Sequence, residues 1–220
     1  MVGVLSVAVV ILSGGLDSST AAYWAHSQGY GVHCLTFKYG QRAQREVEAA
    51  RQIAGSLGVP HKVVDLASLE DIYRGATSLV DQTLEVSKEF TPNLIVPFRN
   101  GVFLSVAVAY ADSIGANTVI YGAHGDDEPF YPDCREEFYR AFQEAARLGT
   151  GRELEVFSPW RGLGKADIVA RALELGVPLE KTWSCYLEGP IHCGVCESCV
   201  NRRKAFQAAG VADPTEYASG

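Results

Sequence analysis

Seven consecutive residues, Ser13-Gly14-Gly15-Leu16-Asp17-Ser18-Ser19, combine backbone freedom, hydroxyl donors and one carboxylate. The glycines let the chain curl so that successive N–H groups point outward, a nest that attracts phosphate oxygens. The hydroxyls of Ser13, Ser18 and Ser19 add donors, and a helix start adds partial positive charge. Asp17 is suited to orienting those amides or to helping hold Mg²⁺. A lone Ser-Gly-Gly would imply only a turn and a helix cap. Seven such residues between an apolar run and a helical segment point instead to a nucleotide tail. The pattern is neither GxxxxGK[ST] nor GxGxxG, so ordinary γ-phosphoryl transfer and hydride transfer both lose ground.

A second cluster lies near the C-terminus. Of six cysteines, Cys185, Cys193, Cys196 and Cys199 fall within fifteen positions. Four thiolates with two-residue spacers suit tetrahedral zinc, and a filled coordination shell makes the metal structural rather than catalytic. An iron–sulfur cluster, a redox pair or unligated buried thiols are the competing readings, and His192 is an alternative to Cys185. Cys34 sits inside an apolar run and reads as a small core residue. His26, His33 and His61 have no chemical partner nearby in sequence, and His124 is a minor candidate.

These groups need a scaffold, and its elements follow the same order. Val7 to Leu12 is a β-branched run that leads into the Gly-turn, a helical segment from about Ser18 to Ser27, and a second apolar run from Val32 to Phe37. Strand, turn, helix, strand is a βαβ unit, and near-continuous apolar strands suit a parallel sheet covered on both faces. Further helices are predicted over Gln41–Leu57, Arg99–Ile114, Glu136–Leu148, Lys165–Leu175 and Asn201–Ala209. Further strands are predicted over His61–Leu66, Thr118–Tyr121 and Glu155–Phe157. Residues 70–98 read as a helical excursion or loop. The expected fold is α/β, a doubly wound, mostly parallel Rossmann-like sheet over residues 1–180. A small zinc-binding segment with a terminal helix occupies 181–210, and a dispensable tail occupies 211–220.

Composition limits the partners. A chain of 220 residues with 47% hydrophobic and 20% charged residues fits one packed core with an appendage. A net charge of −7 argues against stable nucleic-acid binding, which needs Lys and Arg on phosphates. The apolar stretch from Val2 to Leu12 lacks a basic start and a cleavage site, so it reads as a buried strand. No run approaches the length of a bilayer span. A cytoplasmic protein with no membrane partner is expected.

The seven-residue loop resembles the PP-loop of N-type ATP pyrophosphatases. Further stretches narrow the likeness: Tyr39-Gly40-Gln41-Arg42, Val96-Pro97-Phe98-Arg99-Asn100, Tyr131-Pro132-Asp133-Cys134-Arg135 and Ser184-Cys185-Tyr186. Together they resemble the QueC family of 7-cyano-7-deazaguanine synthases, from about residue 7 to about residue 207. The resemblance implies an adenine nucleotide alpha hydrolase-like fold and ATP-dependent amidation of 7-carboxy-7-deazaguanine with ammonia. Dehydration of the amide to a nitrile would follow, within queuosine or archaeosine biosynthesis.

By the same resemblance ATP is held by Leu12, Ser13, Gly14, Gly15, Leu16, Asp17, Ser18, Ser19, Thr20, Ala21 and Ala22, with Mg²⁺. Zinc is held by Cys185, Cys193, Cys196 and Cys199, and a homodimer is expected. Asp17, Arg99, Asp133 and Arg135 are the catalytic candidates, and Arg42, Asn100 and Asp127 the substrate candidates. A purine-like carboxylate needs fork donors for its acid and acceptors for its amine edge. Arg99 and Arg135 read equally as salt-bridge braces and Asp133 as a helix cap, while Lys165, at a helix start, reads as a phosphate contact or, more often, a solvated side chain. Ala43, where the family suggests His, and Glu128-Pro129-Phe130, where it suggests aromatic-Ser-Gly, depart from the pattern. The alternatives are a PP-loop enzyme acting on a tRNA base or a protein, and a non-catalytic zinc-ribbon module.

Overall fold

A computed structural model describes residues 6–218. Five strands, β1 (Val7–Ile11), β2 (Gly31–Lys38), β3 (His61–Asp65), β4 (Thr118–Ile120) and β5 (Glu155–Phe157), form one parallel sheet in the order β3-β2-β1-β4-β5. The expectation for Val2–Leu5 lies outside the described residues.

Alternation along the strands splits the core in two. Val9, Leu35, Phe37, Val119 and Tyr121 face one side, and Ala8, Val10, Val32, Cys34 and Ile120 face the other. Helices α1 (Leu16–Ser27), α2 (Arg45–Leu57), α6 (Lys165–Glu174) and α7 (Glu197–Ala208) cover the second side. Helices α4 (Arg99–Ser113) and α5 (Glu136–Thr150) cover the first, with the short α3 (Leu69–Tyr73) at its edge. The doubly wound expectation therefore holds. Contrary to the expectation that no run approaches the length of a bilayer span, Pro92–Ser113 is long and apolar enough in composition for one. Burial of Phe103, Leu104, Ala107, Val108 and Ala111 of α4 on the sheet accounts for that character.

Several boundaries differ from the sequence reading for local reasons. Helix α2 starts at Arg45 rather than Gln41, because Gln41 folds back on its own loop. Its side chain accepts from the Tyr39 N–H at 2.8 Å and donates to the Phe37 carbonyl at 3.0 Å. Helix α7 starts at Glu197 rather than Asn201, so Cys199 lies within its first turn. Residues 70–98 contain α3, turns and a single 3₁₀ turn at Pro92–Leu94.

The tail is not the loosely packed appendage expected. Arg202 is fully buried and pairs through Nε with Asp213 at 3.2 Å. Tyr217 donates to Asp213 at 2.5 Å and its ring packs edge-on against His192. A buried guanidinium requires such a partner, and the tail supplies it.

Strand order reverses between β1 and β4, which both leave the sheet at the same end. Open α/β sheets bind ligands outside the carboxyl ends of strands at such a switch point.

Candidate active site

At this switch point the chain turns from β1 into α1. Gly14 has φ +83°, which favours glycine, and a Cβ there would lie 2.5 Å from the Glu46 carbonyl oxygen. A Cβ on Gly122, just past β4, would lie 2.9 Å from the Ser18 nitrogen. Both positions let the loop lie against its neighbours. The first amides of α1 have no intrahelical acceptor. Ser13 and Ser18 lock the loop from within, their hydroxyls 2.9 Å apart and the Ser13 N–H donating to Ser18 Oγ at 3.1 Å.

Two polar atoms of this corner, Asp17 Oδ1 and Ser19 Oγ, are buried without a hydrogen-bond partner. Buried polar atoms are normally satisfied, so the free Asp17 oxygen, on a residue that lines the cavity, marks a place prepared for a ligand, whereas Ser19 lies behind the loop. The other Asp17 oxygen accepts from Lys165 Nζ at 2.9 Å. Trp160 Nε1 donates to the Asp17 carbonyl at 3.0 Å and anchors the turn. Burial pushes the Asp17 carboxyl up, but Lys165 and His124 outweigh it and hold the group below its ordinary value. Of the two sequence readings of Lys165, the solvated one fails, because the side chain is held in the cavity wall. It stands at the start of α6 with its side chain 20% exposed, and its N–H donates to Asp126 at 2.7 Å.

A cavity of about 240 Å³ opens from this corner. It is lined by Leu12, Ser13, Gly15, Leu16, Asp17 and Ser18 of the loop and by Arg99, Asn100, Asp127 and Asp133 from across the sheet. Gly14, Ser19, Thr20, Ala21 and Ala22 stand behind the loop. Thr20 bonds the Leu16 carbonyl at 2.7 Å, and Ala21 and Ala22 are core residues.

Arg99 and Asn100 begin α4, and Phe98 ahead of them has φ 51°, a strained value for a bulky residue. Arg99 donates to Tyr39 Oη at 3.4 Å and has no carboxylate within ion-pair distance among the described residues. Asp133 accepts from the Asn100 N–H at 3.0 Å, so it braces the start of α4 while facing the cavity. Asp127 lies 3.3 Å from buried His124 Nε2, and burial raises its carboxyl above the ordinary value.

Arg42 and Arg135 do not reach the cavity. The Arg42 guanidinium caps the carbonyls of Asp81 and Leu84, holding the loop before Val86. Arg135 donates to the Glu128 carbonyl at 3.0 Å and its second contact is Glu137 at 3.8 Å. Both act as braces.

Sequence reasoning missed several lining groups that long-range folding delivers: Glu46 of α2, and Trp183, Ser184, Tyr186, Glu197, Ser198 and Asn201. The last six flank the cysteine group. Glu197 accepts from Tyr186 Oη at 3.1 Å and faces the cavity one residue after Cys196.

The sulfurs of Cys185, Cys193, Cys196 and Cys199 lie within 4.8 Å of one another. Cys185–Cys196 and Cys193–Cys199 are 4.0 and 3.9 Å apart. Tetrahedral metal–sulfur bonds of about 2.3 Å require sulfur–sulfur edges of about 3.8 Å, so the group fits a metal. N–H groups of Leu187 and Cys193 point at Cys185 Sγ, both at 3.4 Å, and those of Val195 and Cys196 at Cys193 Sγ, at 3.4 and 3.2 Å. Such donors stabilise thiolates. His192 is occupied elsewhere, accepting from the Ser184 N–H at 3.0 Å. The Trp183 N–H donates to the Gly14 carbonyl at 2.8 Å, joining the cysteine segment to the loop between β1 and α1.

Residues 7–210, from β1 to just past α7, match the family described as Queuosine biosynthesis protein QueC. The chain belongs to the QueC family. A 7-cyano-7-deazaguanine synthase from Thermoplasma acidophilum is 46% identical over 222 residues, covering 96% of this chain and 91% of its own. One from Nitratiruptor sp. is 46% identical over 219 residues, covering 96% and 99%. The QueC-family fold is also similar to NMN synthetase from Francisella tularensis, at TM-score 0.56 and 17% identity, covering 94% of this chain and 79% of that one. Within this QueC-family chain, Ala43 is buried among Trp183, Cys185, Cys196 and Cys199. Phe130 is half exposed and packs on Phe90 with ring centroids 4.6 Å apart.

Proposed function

We propose that this enzyme is an ATP-dependent 7-cyano-7-deazaguanine synthase. It would convert 7-carboxy-7-deazaguanine and ammonia to the nitrile through an activated carboxylate and an amide, in queuosine or archaeosine biosynthesis. Family membership supports the reading, and the observation that carries it is one cavity joining the phosphate loop to Arg99.

A carboxylate resists ammonia because its oxygen is a poor leaving group, and ATP supplies the group that lets that oxygen depart. The chain's residues bind and orient. Loop amides and the Ser13 and Ser18 hydroxyls hold the triphosphate, and Lys165 and Asp17 set the charge beside it. Arg99 offers its fork to the substrate acid, since no protein carboxylate occupies it. Asn100, Asp127 and Asp133 offer polar edges to the purine-like ring. Asp17, through its free oxygen, would help hold Mg²⁺. Zinc suits the four thiolates and would fix the wall carrying Tyr186 and Glu197. A homodimeric assembly, on the resemblance, and a cytoplasmic site, on the composition, complete the reading.

The test is direct. Zinc-replete protein is incubated with ATP, Mg²⁺, ammonium and 7-carboxy-7-deazaguanine, and products are weighed by mass spectrometry. Nitrile that forms only with ATP is the expected result, and no nitrile at full zinc occupancy sinks the proposal.

A further inference from the structure

Conversion of a carboxylate and ammonium to a nitrile removes every hydrogen from the nitrogen, so the cavity needs a proton acceptor beside the reacting carbon. Ammonium itself carries no lone pair and cannot attack. The loop corner does not provide the acceptor: Asp17 is paired with Lys165, and Asp127 lies against His124.

Glu46 has a different setting. It projects from the first turn of α2 into the same cavity, beside Arg99. Among the described residues it forms no ion pair within bonding distance. The charged and titratable groups that face it are Arg99 from α4, Tyr39 from the loop after β2, and Glu188 from the cysteine segment. A carboxylate lining the same cavity as the fork proposed to hold the substrate acid can meet a nitrogen that enters toward that acid. Burial pushes its carboxyl up to about 7, with Arg99 and Gln41 opposing the shift. A group poised near the working pH is suited to exchanging protons.

We propose that Glu46 is a catalytic residue that binds ammonium and removes its proton at the site of amidation. This rests on the amidation proposed above. One N–H proton passes from ammonium to the Glu46 carboxylate, leaving ammonia and a neutral carboxyl. The nitrogen lone pair then forms the C–N bond while the C–O bond to the activating group breaks, its electron pair leaving on that oxygen. The remaining surplus N–H proton follows the departing oxygen.

The measurement is kcat/KM for total ammonia, with ammonium chloride as the probe, from mildly acid to alkaline pH, for wild type, Glu46→Gln and Glu46→Asp. If Glu46 binds the cation as carboxylate, the wild-type value is level from about 7 until ammonium itself loses its proton, and falls about tenfold per pH unit below about 7. Glu46→Gln should lose on the order of 10²–10⁴-fold at neutral pH. It should recover steadily with alkalinity as free ammonia accumulates, while binding ATP with unchanged affinity. Glu46→Asp should regain part of the neutral rate. A Gln variant with the wild-type rate and profile overturns the inference. So does a wild-type profile that climbs through the alkaline range, and this holds even if the Gln variant does not fold. A wild type that makes no nitrile overturns the synthase reading as well, whereas the other failures leave that reading standing.

Discussion

Asp17 shows why one side chain can be decisive without supporting the fold. One oxygen is held by Lys165 and the other is buried without a partner, so removing the carboxylate eliminates a ligand contact and relieves an unsatisfied atom, while Lys165, 20% exposed, keeps the access to water that fully buried Arg202 lacks. Asp17→Ala should therefore abolish nitrile formation while the melting temperature stays within a few degrees of wild type. Turnover above a hundredth of wild type, or a collapsed melting transition, would contradict that division. Asp17 was legible in sequence because it sits within a contiguous motif. Its pairing with Lys165 was not, because that lysine reaches Asp17 from 148 positions away and at its own locus is only a helix-start lysine, as readily solvated as bound. Arg42 erred in the other direction: its motif was read correctly, but its guanidinium caps two backbone carbonyls instead of entering the cavity.

Contact between elements sets the next level of constraint. The ends of β4 and α1 meet so closely at Gly122 that one added methyl group must displace Ser18 or the strand. Gly122→Ala should cost about 1–3 kcal/mol in chemical unfolding and weaken ATP binding by calorimetry. Unchanged nucleotide affinity would show that the loop tolerates the shift. The cysteine knuckle makes the complementary case: Cys196 precedes α7 and also belongs to the four-sulfur group. Cys196→Ala should lower stability first, with zinc content falling in parallel by atomic spectroscopy, and a melting shift equal to that of Asp17→Ala would refute the distinction. Strands and helix types were readable from their apolar periods. The starts of α2 and α7 were not, because Gln41 bonding back to Phe37 and the geometry of Cys196 and Cys199 are tertiary facts.

For the molecule as a whole, the order β3-β2-β1-β4-β5 gathers loops from distant parts of the chain at one end of the sheet. The sequence pattern indicates parallel strands, but not how the 180–200 region returns to β1. The tail shows the same limit. It has few apolar residues and reads as expendable, yet Asp213 neutralises an arginine with no solvent exposure. Asp213→Ala should destabilise by about 3–5 kcal/mol, because the buried cation loses its partner. Burial pushes the Asp213 carboxyl up, but Arg202 and Tyr217 outweigh it and hold the group below its ordinary value. A lowered folded value means that its contribution is complete above the unfolded value, about 3.9, and is lost as pH falls through the folded one. Unfolding titrations should show this loss only in strong acid, and Asp213→Asn should remove that pH dependence.

The bond from Trp183 to Gly14 has a consequence for how activity would scale. With the knuckle fastened to the nucleotide corner, a partly metallated sample would be a mixture of working and idle molecules. Its maximal velocity would rise in proportion to bound zinc, while the Michaelis constant for ATP stayed fixed.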